Sequence, residues 1–244
     1  MPLHPVVIRL NSVDSTQTWV RTWAHMSARE GLIVIAREQT AGRGRLTRSW
    51  RSPPGGLYLS LLLRPHIPLI QASQLTMLVS LAAITACQNI AGVTPRPKWP
   101  NDLLLAGKKL AGVLTEIEYS DQWLRHAIIG IGLNVNMRFD EPPLAAIATS
   151  LQIATGASHD LDALADAFIR ALSDRYDAFL AGASPHQDWA RQLEPLGKRV
   201  EVQQPGQPLL QGLAEDVTPE GALRIRDDAG KMHVIWAGDV KPIA

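Results

Sequence analysis

The stretch over residues 71–91 constrains the fold more than any other. It is rich in Ala and Leu along its whole length and is followed by Gly92. A run this long reads as a helix, with Gly92 as its stop signal. Short apolar runs of strand length surround it, at residues 32–36, 57–63 (ended by Pro65) and 127–136. Two more, at residues 103–105 and 110–118, flank a hairpin turn at residues 106–109. Leu161, Leu164, Ala165, Phe168, Ile169, Leu172 and Phe179 fit the stripe of a second long helix. Near the start, Asp14 with Gln17 three residues later has the capping-box pattern. Trp19, Trp23 and Met26 then read as one face of a helix stopped near Gly31. Strands in series with such helices predict an α+β fold, a mixed sheet packed with helices. With 46% apolar and 19% charged residues, a packed core is expected and long disorder is not.

The pattern changes after about Trp189. Short alternating runs at 199–202, 209–213, 223–226 and 233–236 are separated by turn signals at 204–206, 219–221 and 227–230. This predicts a small all-β barrel of roughly fifty residues, whose thin core leans on the larger part. The expected domains are residues 1–190 and 191–244.

A net charge of +1 argues against a broad nucleic-acid footprint and directs attention to local clusters. Cys87 stands alone, so it forms no internal disulfide, and its apolar helical setting predicts an inert buried thiol. No signal run is present and no segment reads as long and apolar enough to span a membrane, which predicts a cytoplasmic protein. The seven histidines lack metal-ligand spacing, so no zinc site is expected.

Four arginines (Arg37, Arg43, Arg45 and Arg48) and two glycines (Gly42 and Gly44) follow the strand at 32–36. Guanidinium groups offer planar two-point bonds to carboxylate or phosphate, and glycine lets backbone approach a ligand closely. Residues 98–102 read Lys-Trp-Pro-Asn-Asp. Polar groups at the start of a strand either cap the loop or act on a ligand. In the second reading Lys98 meets phosphate and Asp102 helps hold Mg²⁺ or an ordered water. Gly112, inside an apolar strand, marks a bulge or a place where a ligand touches backbone. Asn134 needs hydrogen-bond partners if buried, or offers its amide to a polar ligand.

These motifs together resemble the biotin–protein ligase family. Its Gly-Arg-Gly-Arg-x-Gly-Arg-x-Trp signature is similar to residues 42–50, its Lys-Trp-Pro-Asn-Asp to 98–102, and its Lys-Leu-Ala-Gly-Ile/Val-Leu-x-Glu to 109–116. Its Gly-x-Gly-x-Asn is similar to residues 130–134, and its early Asp-Ser-Thr is present at 14–16. Any one of these is weak, but five in order are specific. The resemblance implies a catalytic domain like those of biotin ligases and class II aminoacyl-tRNA synthetases, with an SH3-like C-terminal barrel. It implies an ATP-dependent enzyme that makes biotinyl-5′-AMP and passes biotin to a lysine of the biotin carboxyl carrier domain of acetyl-CoA carboxylase. ATP and biotin are the implied substrates, with Mg²⁺. No DNA and no membrane are expected as partners, and a homodimer is among the assemblies the sequence admits. Only thirteen residues precede Asp14, too few for the DNA-binding domain of bifunctional members, so a monofunctional ligase is expected.

Residue by residue, the resemblance places Ser15, Thr16, Gln17, Gln39, Gly42, Arg43, Gly44, Arg45, Lys109 and Gly112 around biotin. It places Arg45, Arg48, Trp50, Lys98, Asn101, Asp102 and Asn134 around ATP or the adenylate. Lys98, Arg43, Arg45 and Lys109 are the expected catalytic groups, and Asp102 the expected Mg²⁺ ligand. Thr47 departs from the family by standing at its third glycine. If that position needs positive φ, a β-branched residue there costs of order 1 kcal/mol or more. Rival readings are a lipoate or octanoate ligase or transferase, and a non-catalytic nucleic-acid-binding regulator.

Overall fold

The structure, a computed structural model, describes residues 2–243. Strand β1 (Val6–Val13), helix α1 (Thr16–His25), β2 (Leu32–Gln39) and β3 (Gly56–Leu63) open the chain. Helix α2 (Ala72–Ala91) leads to β4 (Arg96–Lys98), β5 (Asp102–Leu105), β6 (Lys108–Ser120) and β7 (Trp123–Asn134). These strands form one sheet in the order β1-β2-β3-β7-β6-β5-β4. β1 and β2 are parallel, as the α1 crossover requires, and the other neighbours are antiparallel, so the expected mixed sheet forms. β3 is buried at every position. Val20 and Ala24 of α1 pack on Leu62 and Ile128 from one face, while α2 covers the other. A strand covered on both faces reads as a continuous apolar run instead of an alternation.

Helix α2 lies between the sheet and a second long helix and buries thirteen residues. Gly92 closes it at φ 67°, with its N–H donating to the Gln88 carbonyl. With the short turn at Leu69–Gln71, this segment is long and apolar enough to cross a membrane, contrary to the expectation from sequence. Its most apolar window is 67% buried inside the fold, as suits a core helix. Cys87 is buried on it, and burial pushes its thiol up to about 12.

Beyond β7 come α3 (Leu144–Ile147), α4 (Leu151–Thr155), α5 (Leu161–Leu180) and α6 (His186–Gln192). The Asp160 carboxylate caps α5 by accepting from the Asp162 and Ala163 amides. Its Leu164, Phe168 and Leu172 stripe is buried as the periodicity predicts.

Two local expectations fail at α1. Ser15, not Asp14, occupies the N-cap, and its hydroxyl does not cap the helix. The buried face is Thr16, Gln17, Val20 and Ala24, whereas Trp19 and Met26 are exposed. Polar Thr16 and Gln17 point to the sheet because hydrogen-bond partners await them there. Of the expected apolar face only Trp23 packs, half-buried, against the small core around Val20 and Ala24. The helix also ends before Gly31, whose φ of 89° serves the turn into β2.

The C-terminal strands are β8 (Arg199–Gln203), β9 (Leu210–Val217), β10 (Leu223–Arg226), β11 (Met232–Ile235) and β12 (Asp239–Pro242). They form an antiparallel sheet in the order β11-β10-β9-β8-β12. β11 and β12 are its two edges, so the described strands do not close into the expected barrel. Trp236 falls outside β11 and is exposed. Val200, Val202, Ile225 and Val240 join the core of the large sheet, so the module does lean on it. Trp99, 2% exposed, donates its indole N–H to the Gly221 carbonyl at 2.9 Å and pins the two sheets together.

Candidate active site

A cavity of about 800 Å³ opens where the N-terminus of α1, the loop after β2, the β4–β5 turn and the middle of β6 and β7 converge. Every residue expected at the site lines it except Gly42. A Cβ on Gly42 would collide with the Trp50 carbonyl and the Ser52 hydroxyl, so this glycine serves loop packing.

One end is polar and buried. The Gln39 Oε1 accepts from the Thr16 amide at 2.9 Å and its hydroxyl at 3.1 Å, and Gln39 Nε2 donates to Ser52 Oγ at 2.8 Å. The Thr16 and Ser60 hydroxyls lie 2.8 Å apart, and Ser60 donates to Gln17 Oε1 at 3.0 Å. Gln17 Nε2 donates to the Ile128 carbonyl at 2.9 Å, which ties α1 to the sheet. Gln17 and Gln39 are thus largely occupied by protein partners. Ser15, 2% exposed and not spent on capping, is left to face the cavity. Ser60 is a site residue that sequence reading missed. Its signal was a lone serine inside the run Leu57 to Leu63, where burial demands partners.

The floor is glycine. A Cβ on Gly132 would fall inside the Trp50 indole, one on Gly112 would come within 3.2 Å of it, and one on Gly130 within 2.6 Å of Gln17 Oε1. Trp50 Nε1 is buried with no hydrogen-bond partner. Gly112 therefore makes room for the Trp50 ring, and the pairing of β5 with β6 shifts register just before it, between Lys109 and Ala111. Asn134, 4% exposed, donates to the Thr149 carbonyl at 3.0 Å, so its amide supports the cavity wall.

The other end is charged. Arg45 donates to Asn101 Oδ1 at 3.1 Å, and Asn101 in turn donates to the Val113 carbonyl. Burial draws the Arg45 guanidinium down, while Asp239 and Asp102 pull it back up. Lys109 Nζ lies 2.7 Å from Asp102 Oδ1 and 5.3 Å from the centre of a Trp50 ring. Lys98 lines the same end. Arg48 instead reaches across to Asp239 of β12, and that bond, followed by the charges of Arg48, Arg45 and Lys98, holds the Asp239 carboxyl low. Asp239, Val240 and Lys241 line the cavity, a contribution that local motifs in the large sheet could not reveal. Phe139, Leu144 and Ile147 add an apolar wall that was also unforeseen.

The loop reaches this arrangement differently from the sequence expectation. Gly42 and Gly44 do not take positive φ. Leu46 (φ 54°) and Thr47 (φ 61°) do, inside a turn closed by Arg48 N to Arg45 O at 3.1 Å and Gly44 N to Arg48 O at 2.7 Å. Thr47 therefore does carry the strain anticipated for a β-branched residue there. Among the described residues no group of three His, Cys, Asp or Glu side chains is arranged to hold a metal. A largely hydrated Mg²⁺ needs only one or two carboxylates alongside phosphate oxygens, and Asp102 fits that requirement.

The sequence matches the biotin/lipoate A/B protein ligase family over residues 10–134 and the biotin protein ligase C terminal domain over residues 196–241. It is 42% identical over 171 residues to a bifunctional ligase/repressor BirA of Bacillus spizizenii, a match covering 69% of this chain but 53% of that protein. The chain thus spans about half the length of that relative. A biotin--[acetyl-CoA-carboxylase] ligase of Paracoccus denitrificans is 36% identical over 219 residues, covering 85% of this chain and 88% of the relative. A biotin protein ligase from Aquifex aeolicus, solved in complex with biotin and ATP, superposes with a TM-score of 0.81 at 30% identity and covers 96% of this chain and 97% of its own. With matching motifs gathered in one cavity and both sequence regions accounted for, the chain belongs to the biotin/lipoate A/B protein ligase family.

Proposed function

We propose that this protein is an ATP-dependent biotin–protein ligase that activates biotin as biotinyl-5′-AMP and transfers it to a lysine of a biotin carboxyl carrier domain. One observation carries the reading. A single cavity has buried Ser, Thr and Gln side chains at one end, with Arg43 beside them on Glu116, and Arg45, Lys98 and Lys109 at the other, with a glycine floor between them. A vitamin acid fits that division, with its cyclic urea at the polar end and its carboxylate among the cations. Ser15, which makes no capping bond, supplies hydrogen-bonding capacity that the protein leaves unused.

The obstacle to the first step is charge. A carboxylate approaching a polyphosphate at contact is repelled by about 4 kcal/mol at an effective dielectric near 20. Arg45, Lys98 and Lys109 offset that repulsion and act most where charge builds on the α-phosphate, while Arg43, on Glu116, reaches in from the polar side toward the acid. Mg²⁺ bound with the nucleotide, held by Asp102, would neutralise further phosphate charge. Lys109 first has to exchange its bond to Asp102 for the incoming anion. The mixed anhydride hydrolyses if wet, so the loop from Gly42 to Trp50 acts as its cover. We assign catalysis to a unit near residues 1–190 and a supporting role to residues 191–244, with Asp239 and Lys241 at the nucleotide end as the reason.

The test is incubation with ATP, Mg²⁺, biotin and a purified carrier domain, with lipoate in a parallel arm, scored by mass gain on the carrier. Gain with biotin alone supports the proposal. Gain with lipoate alone replaces it with the lipoate reading, and no gain in either arm removes both.

A further inference from the structure

Arg43 is held from behind. Its Nη1 lies 3.4 Å from Glu116 Oε1 on β6, and the other oxygen of the same carboxylate accepts from Arg21 of α1. The three side chains are 37%, 31% and 33% exposed, so the chain of charges is partly shielded from water. Glu116 stands opposite Ile128, the residue whose carbonyl takes the Gln17 amide, so helix and strand are already fixed to each other at this point. Only Arg43 belongs to a loop, and it lines the cavity while bonded to Glu116. Its contact uses one guanidinium nitrogen at long range, which leaves the remaining donors for a ligand.

Resting on the ligase reading above, we infer that Glu116, oriented by Arg21, is the positioning residue of Arg43. The helix and β6 present one carboxylate that seats the loop arginine over the site before the acid arrives. Ordering the loop in advance removes part of the entropy lost when ligand binds. Without the Glu116 charge, two cations face each other with no counter-ion, and the mobile one withdraws.

Biotin-dependent ATP–pyrophosphate exchange, with separate KM values for biotin and ATP, tests this in Glu116→Gln, Arg21→Met, Arg21→Lys and Arg43→Ala. Glu116→Gln and Arg21→Met should raise the biotin KM about tenfold, the scale of one charge-assisted contact, with kcat and the ATP KM little changed. Arg21→Lys should recover most of the loss. In an Arg43→Ala background, Glu116→Gln should have no further effect. An unchanged biotin KM in Glu116→Gln, or an equal rise that persists without Arg43, overturns the assignment. Hydrogen exchange at the Gly44 and Arg48 amides reads the same device without any substrate. Faster exchange in Glu116→Gln supports it and unchanged exchange refutes it, even if the wild-type protein proves to act on another acid.

Discussion

Replacing Thr47 by glycine should tighten the arginine loop. Leu46 and Thr47 occupy the centre of the turn between Arg45 and Arg48, both at positive φ. A left-handed conformation costs an L-residue roughly 1–2 kcal/mol. Glycine escapes that cost but brings extra freedom to the open loop, worth roughly 0.5–1 kcal/mol. The Thr47 hydroxyl bond to the Leu46 carbonyl is exposed, and its loss changes little. The balance is a gain of about 0.5–1 kcal/mol for the closed turn, or a two- to fivefold shift in its opening equilibrium. Amide hydrogen exchange at Gly44 and Arg48, the two donors that close the turn, should slow by that factor in Thr47→Gly. Thr47→Ala retains its Cβ and should gain little. Equal exchange in Thr47→Gly and the native chain would show that positive φ at Thr47 does not hold the turn open. The melting temperature should move little, because the loop opens without unfolding the sheet.

Other outcomes follow from the same geometry. Gly132→Ala places a methyl group where the Trp50 indole sits, so biotin-dependent exchange should fall at least tenfold while the far-ultraviolet circular dichroism stays native; wild-type activity would mean that the floor is not used. The Asp239 carboxyl should titrate below the ordinary 3.8 by carbon-13 NMR and move up in Arg48→Ala. Because its folded value is depressed, the contact between loop and β12 is fully present above pH 3.8 and fades as pH falls through that lower value. Cys87, buried and pushed up to about 12, should resist a disulfide reagent at pH 8 in the folded protein and react once it is unfolded; rapid native labelling would contradict its burial.

Sequence alone determined the long helices, most of the sheet strands and the chemistry of the site. Residues 71–91 and 161–180 form the helices their apolar patterns predict, and five spaced motifs supplied most of the polar groups that line the cavity. Local patterns are legible because backbone period and side-chain type are properties of neighbours in the chain. Tertiary structure decided the rest. It turned Thr16 and Gln17 to the sheet against the apolar reading of α1, and it sandwiched α2, whose composition alone is that of a membrane span. It left the C-terminal sheet open and brought Asp239 to Arg48 across 191 positions. It also joined Arg21, Arg43 and Glu116 into one chain of charge. Such contacts depend on where distant segments meet, and a charged side chain carries no mark of its partner until packing places the two together.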